Sequence, residues 1–440
     1  MDDRPQPGEP EEPGKPDKPD TPSQPSGPGF PGMPFGGGGF DLAQIMRMLQ
    51  SQGPVNWEVA REIASWVAVE GGSERPIDPA AHDQFDELAR AAQTHVVAET
   101  GLAATFAAPL RTVGPQGWAA LHLEALRSVL EALATTLGQA MREAGSAGPE
   151  LGEIESGEGP GPHGTPGGTP PGMPFGPEML GNIMEMLAPA LLGMQAGSMI
   201  GYLAQHALGR YDLPLPTSDE PSLCFVVQNI DAFEEAWSLE RADLRFYLAL
   251  HEVVHAAERS APWVRERLVR LATEYVSAYE VDPGALESRL GSLDPSDPSS
   301  FGQIAEDPEA LMGAMRSPRQ DEPRRQLQLL TSVLEGYADS VLERVGERLI
   351  PSFRQIHEAM KRHRVEQGEA ERFIEDLLGL KLERGHYEQG EAFCRGVIER
   401  AGAEGLNRLW EAERMLPTPA ELEAPGLWLA RIEFPEDTST

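Results

Sequence analysis

The residues most clearly able to carry out chemistry are His251, Glu252 and His255, which form an HExxH pattern. The surrounding stretch, from Arg241 to Ser260, holds no Gly or Pro and has apolar residues at helical spacing, which predicts a helix. Four residues of helix turn through about 400° and rise about 6 Å, so both imidazoles lie on one face. Two histidines so placed can bind one Zn²⁺, and Glu252 can act as general base on the water in the open coordination position.

A catalytic zinc site needs a third protein ligand. The metzincin motif would require glycine at position 258 and histidine at position 261, where this chain has Glu258 and Ala261, so that class is excluded. Glu335 and Asp339 lie four residues apart on a second predicted helix, and apolar neighbours favour their burial over an exposed acidic stripe. This E-x-x-x-D arrangement predicts Glu335 as the third ligand and Asp339 as the hydrogen-bond partner of a ligand histidine.

Three other histidines compete for the role of third ligand: His357, His363 and His386. His357 and His363 are six residues apart, a poor helical spacing for joint ligation, and basic residues surround them. The sequence therefore predicts ordinary surface or loop histidines. An oxyanion in the site would need a Tyr, His or Arg near the metal, and the sequence does not choose between Tyr337 and His357.

The composition excludes several other functions. The chain carries 36 basic and 70 acidic residues, a net charge of −34, which argues against non-specific nucleic-acid binding and against attachment to anionic lipid by charge. Its two cysteines, Cys224 and Cys394, exclude a disulfide framework and indicate a reducing compartment. The first residues show no secretory signal. We expect a cytoplasmic protein.

Gly and Pro are concentrated in two tracts, which cannot bury enough apolar area to offset the entropy of ordering them. A PGMPFG repeat occurs in both tracts, at 31–36 and 171–176, and is either a docking element for a protein partner or, more simply, drifted low-complexity sequence. The predicted organisation is a disordered tail at 1–39, the N-terminal helical part of the domain at 40–144, a linker or insertion at 145–177, a core with the HExxH and ExxxD helices at 178–433, and a disordered tail at 434–440.

The pattern of apolar residues in the remaining chain predicts a mainly α fold with at most a small β-sheet. We expect three or four helices within 41–144 and place the best strand candidate at Leu223–Val227, which is β-branched and aromatic. The stretch 187–204 lacks charges and has Gly193, Gly197 and Gly201 at four-residue spacing. Its length is at the lower limit for crossing a bilayer, so a buried core helix is favoured over a membrane span.

Several phrases of the chain are recognisable together and in order. They are GPVNWEVAREIA, GYLAQHALGRYDLPLP, FVVQNI, FYLALHEVVHAAERSAPWVRERL, LLTSVLEGYADSV, GLKLERGHYEQGEAFCRGV and LPTPAELEAPGLWLAR. Over 54–431 the chain thus resembles a family of uncharacterised actinobacterial zincin-like proteins. Their members are variously labelled zinc-dependent metalloproteases, hydrolases or proteins associated with deazaflavin-cofactor biosynthesis.

This resemblance implies a single, mostly helical zincin-like domain that includes the helices before the second Gly/Pro tract. It implies zinc on His251, His255 and Glu335 and a base role for Glu252, but no particular substrate. The separation of about 80 residues between His255 and Glu335 is longer than in the best-known glutamate-zincins, a difference that concerns the shape of the cleft more than the ligands.

The leading hypothesis is therefore a zinc metallohydrolase that cleaves peptide bonds in a peptide or protein substrate. A second hypothesis is a zinc-stabilised interaction or scaffold protein without turnover, which binds a protein partner through the Gly/Pro-rich tracts. A third is a membrane-associated protease anchored through 187–204.

Overall fold

The computed structural model describes residues 53–102, 110–146, 177–217, 221–280, 317–365 and 368–433. The tails predicted at 1–39 and 434–440, most of the tract at 145–177 and both PGMPFG copies lie outside these residues. The domain boundaries drawn from the sequence therefore stay predictions.

Helices make up most of the described chain, which confirms the predicted mainly α fold. In chain order they are α1 (Trp57–Val67), α2 (Pro79–Thr100), α3 (Pro115–Ala125), α4 (Arg127–Ser146), α5 (Pro177–Ala204), α6 (Val227–Trp237), α7 (Arg241–Arg259), α8 (Pro262–Ser277), α9 (Asp321–Leu349), α10 (Phe353–Val365), α11 (Glu369–Leu377), α12 (Arg384–Asn407), α13 (Pro419–Glu423) and α14 (Pro425–Glu433). Short 3₁₀ helices lie at Pro318–Gln320, Arg408–Glu411 and Glu413–Met415.

The described residues contain one small sheet of two parallel strands, β1 (Arg111–Val113) and β2 (Cys224–Val226). Phe225 of β2 lies opposite Thr112 of β1. Strand β2 confirms the strand predicted at Leu223–Val227. Strand β1 was not expected, because three residues are too short to show the alternation that marks a strand.

The charge-free stretch 187–204 lies in α5, which packs along α1. A Cβ atom on Gly193, Gly197 or Gly201 would collide with the backbone of α1 or of the residue that caps it, at Asn56, Ala60 and Ala64. The glycines therefore allow two helices to pack closely, as the core-helix prediction requires. Among the described residues, no helix is long and apolar enough to cross a membrane.

The two helices with the candidate ligands pack against each other near the centre of the core. In α7 the side chains from Tyr247 to Arg259 are buried, and in α9 those from Leu330 to Leu342 are buried. Helix α7 also packs on α2, whereas α9 packs on α8 and α12. Since a helix buried on all sides normally has an apolar surface, the ionisable residues within these two stretches need partners.

Candidate active site

Helix α7 brings the two histidines of the HExxH pattern together. The ring centroids of His251 and His255 are 4.5 Å apart, and both side chains are buried. At the start of the helix, the carboxylate of Glu240 accepts a hydrogen bond from the backbone N–H of Asp243, which satisfies one of the free donors of the first turn. The four-residue spacing thus places both imidazoles on one face, as the sequence predicts.

Both histidines are in the protonation state that binds metals. Burial, with the nearby charge of Arg364, lowers the pKa of His251 to about 4. Burial also lowers the pKa of His255 well below its usual value. At neutral pH each imidazole is therefore uncharged and keeps one lone pair for coordination.

The second nitrogen of His255 has the environment expected of a metal ligand. Its Nδ1 lies 2.9 Å from Oε2 of Glu258 and 3.0 Å from Nη1 of Arg259. Its Nε2 is buried and has no hydrogen-bond partner. If Nδ1 carries the ring proton and donates it to Glu258, the lone pair on Nε2 is available to a cation, and a carboxylate partner makes the ligand more basic. A hydrogen bond from Nη1 of Arg259 to Nδ1 would require the other tautomer, with the proton on Nε2. Burial raises the pKa of Glu258 well above its usual value, although Arg259 opposes this shift.

Glu252 is held by backbone donors from two segments of the chain. Its Oε1 accepts from the N–H of Tyr211 at 2.9 Å, and its Oε2 accepts from the N–H of Cys224 at 3.3 Å. Gly209 permits this approach, because a Cβ there would come within 2.8 Å of Cδ of Glu252. Burial raises the pKa of Glu252 to about 7 even though these hydrogen bonds favour the carboxylate. A pKa near the working pH suits a general base.

Glu335 and Asp339 lie together on α9, and both carboxylates are buried as the sequence predicts. Arg364, from the last turn of α10, binds both of them. Its Nη1 donates to Oε2 of Glu335 at 2.7 Å, and its Nη2 donates to Asp339 at 2.8 Å. Burial opposes ionisation of Asp339, but Arg364 and other nearby cations hold the pKa of Asp339 below its usual value. Burial raises the pKa of Glu335 although Arg364 opposes this shift.

Asp339 is predicted to be the hydrogen-bond partner of a ligand histidine, and the contacts of Asp339 and Glu258 bear on that prediction. Both oxygens of Asp339 accept from Arg364, and the carboxylate next to His255 is Glu258, one turn further along α7. The pairing of Asp339 with a ligand histidine stays a prediction. Sequence reasoning missed Glu258 because it considered position 258 only as a site where the metzincin glycine is absent. The signal was an acidic residue three positions after His255, on the same face of the predicted helix.

Helix α10 contributes two histidines that the sequence predicts as ordinary surface or loop residues, and for His357 that prediction is wrong, whereas His363 is partly exposed. His357 is buried with Nδ1 2.9 Å from the hydroxyl of Tyr247, and Nε2 of His363 lies 3.2 Å from Oδ2 of Asp212. Oδ1 of Asp212 is buried without a hydrogen-bond partner. The available signal was the spacing of the buried face of α10, which recurs at Phe353, Ile356, His357, Met360 and Arg364.

Two other sequence candidates have different partners. The hydroxyl of Tyr337 donates to Oδ1 of Asn407 at 2.7 Å. His386 lies at the start of α12, where its Nδ1 accepts from the backbone N–H of Glu383. Tyr337 thus has a hydrogen-bond partner outside the HExxH cluster, and His386 caps a helix.

The donor set agrees with zinc in its chemistry. Neutral imidazoles, the unpartnered Nε2 of His255 and a buried carboxylate on the adjacent helix are the ligand types that Zn²⁺ takes. Within the described ranges, no three His, Cys, Asp or Glu side chains are already placed to hold one metal ion together. Oε2 of Glu335 is bonded to Arg364, so a metal ion on Glu335 would either take this oxygen from Arg364 or bind next to the guanidinium.

Comparison with known proteins identifies the family to which the chain belongs. The model of the zincin-like metallopeptidase family matches residues 55–429, and the chain belongs to that family. It is also similar to a crystal structure from Chloroflexus aurantiacus described as a "putative hydrolase with a novel fold". That similarity has a TM-score of 0.53 and 24% sequence identity, and it covers 86% of this chain and 99% of the other, which supports the fold. No curated protein matches the chain.

Proposed function

We propose that this protein is a zinc-dependent metallohydrolase that cleaves peptide bonds. The observation that carries the proposal is the buried HExxH cluster, in which neutral His251 and His255 adjoin a Glu252 with a pKa of about 7. His251, His255 and Glu335 would hold the metal, and Asp339 would orient a ligand histidine. Membership of the zincin-like metallopeptidase family supports the choice of zinc and of a peptide substrate.

Zinc, when bound, would act as a Lewis acid on the scissile carbonyl. Glu252 would accept a proton from the attacking water as the new carbon–oxygen bond forms. It would then deliver that proton to the amide nitrogen as the carbon–nitrogen bond breaks, so that a carboxylic acid and an amine leave the site. The backbone N–H groups of Tyr211 and Cys224 would hold Glu252 in place through both transfers.

The test of this role is Glu252→Gln, which keeps the size of the side chain and removes the base. We expect the variant to retain zinc and to lose hydrolysis of a peptide library by about 10²-fold or more. Glu322→Gln, at an exposed position at the start of α9, is the matched control and should behave as the wild type. Undiminished turnover in Glu252→Gln would refute the assignment of the base.

One observation favours a second candidate, a zinc-stabilised interaction protein without turnover. Arg364 already pairs with both acids of the ExxxD pair, as in a site that has a structural role. In that case Glu252→Gln would be silent, and removal of 1–39 or 145–177 would abolish binding of a protein partner. The cytoplasmic location and the link to deazaflavin-cofactor biosynthesis raised by the sequence resemblance stay predictions.

A further inference from the structure

Arg364 is bonded to both members of the acid pair of α9, and its side chain is nearly as buried as theirs. Its side chain is 8% exposed, and those of Glu335 and Asp339 are 5% exposed each. A guanidinium in this position makes charge-assisted hydrogen bonds that water does not weaken, and it offsets one of the two negative charges. Any cation that approaches Glu335 must either replace this contact or lie beside a fixed positive charge.

The contacts of Arg364 are unequal. Its Nη2 lies 2.8 Å from Oδ1 and 3.2 Å from Oδ2 of Asp339, whereas Nη1 has one contact with Glu335 at 2.7 Å. The guanidinium also lies 5.5 Å from the ring centroid of Tyr387, which offers a cation–π contact. Arg364 can therefore release Glu335 and keep its bonds to Asp339, so Glu335 is the partner that it can exchange at lower cost.

We propose that Arg364 is the resident counter-ion of Glu335 and that it competes with the metal ion for this ligand. This inference rests on the proposed function, in which Glu335 completes the zinc site. It makes Arg364 a positioning residue that keeps Glu335 in place without metal and lowers the affinity of the site when metal arrives. The guanidinium remains beside Asp339 after the exchange, with its Nη1 donor available to the site.

The experiment is the Arg364→Met variant of the full chain, which keeps most of the side-chain length and removes the charge. Wild type and variant are stripped with a chelator. Zinc affinity is then measured by competition with a chromogenic chelator at pH 8, where protons compete least for carboxylates. We expect at least about tenfold tighter binding by the variant, because a fixed positive charge next to the metal is lost. Without zinc the variant should melt at lower temperature, and zinc should raise its Tm more than that of the wild type.

Arg362→Met is the matched control, since Arg362 lies on the same helix, is exposed and pairs with Glu358. It should bind zinc as the wild type does. A purely structural role for Arg364 would weaken zinc binding along with the fold, so equal or weaker binding by a folded Arg364→Met overturns the inference and leaves the zinc site standing. If neither wild type nor variant binds zinc while both are folded, the proposed function fails and the inference with it.

Should Arg364→Met fail to fold, a second pair of variants keeps the question open to measurement. Asp339→Asn removes one buried charge, so Arg364→Met combined with Asp339→Asn leaves Glu335 as the single carboxylate of the acid pair. The double variant is compared with Asp339→Asn alone. Competition predicts tighter zinc binding in the double variant, and equal or weaker binding would contradict it.

Discussion

Gly390 of α12 is the position where the smallest change should disturb the ligand helix most. A Cβ atom there would lie 2.7 Å from the carbonyl carbon of Ser332 on α9 and closer still to its oxygen. Ordinary van der Waals contact begins at 3.4 Å, so Gly390→Ala requires the two helices to separate by at least about 0.7 Å. The obstacle is helix backbone, which cannot rotate away as a side chain can.

The cost should fall at the upper end of the range for overpacked cores, about 3 kcal/mol in the free energy of unfolding. Because Ser332 precedes Glu335 by one helical turn, the separation also moves the third ligand relative to His251 and His255. A displacement approaching 1 Å in a preorganised site lowers its efficiency by about tenfold or more. We therefore expect weaker zinc binding in Gly390→Ala even under conditions where the variant is fully folded.

Urea denaturation followed by circular dichroism measures the loss of stability, and chelator competition measures the zinc affinity. Gly385→Ala is the control, since Gly385 lies on the same helix and has nothing within 4 Å of the position of a Cβ atom. It should be as stable as the wild type or slightly more stable. If Gly390→Ala matched this control in both measurements, the close packing of α9 on α12 would have no role in placing Glu335.

Three further predictions concern other parts of the site and its support. Burial lowers the pKa of His122 to about 4, so only the unfolded chain takes up this proton as the pH falls from 6.5 towards 4. In that window His122 should lower the free energy of unfolding by up to about 3 kcal/mol, and urea titrations should show that His122→Phe lacks this contribution. Glu258→Gln should weaken zinc binding by about 10–100-fold in chelator competition, because His255 loses the carboxyl group that contacts its Nδ1 and orients the ring; unchanged affinity would contradict that role. Gly209→Ala should retain zinc by elemental analysis and reduce hydrolysis, because its Cβ would push Glu252 aside; full activity would show that the approach of Gly209 is not needed.

Helices and strands could be predicted from the sequence where the local pattern of apolar residues determines them. The HExxH helix and the burial of Glu335 and Asp339 follow from apolar residues at helical spacing, and the strand at Leu223–Val227 follows from a short β-branched and aromatic run. Strand β1 could not be predicted, because Arg111–Val113 is a strand only through its pairing with β2. Its three residues carry no periodicity of their own.

The candidate site could be predicted only in part, because local spacing identifies ligands but not the partners that neutralise them. Arg364 is 29 residues from Glu335 and Asp212 is 151 residues from His363, so these pairs exist only once the helices have packed. Even so, the buried face of α10 was visible in the sequence, and it passes through His357 and Arg364. A basic residue on such a face indicates an acidic partner in the core.

We propose that His251 and Glu335, which lie on different helices, bind one zinc ion. Elemental analysis of purified protein tests it most directly, with the wild type measured beside His251→Ala and Glu335→Ala. We expect one zinc per chain in the wild type and its loss or marked weakening in both variants. No zinc in wild-type protein that was purified without chelator and offered the metal would contradict it.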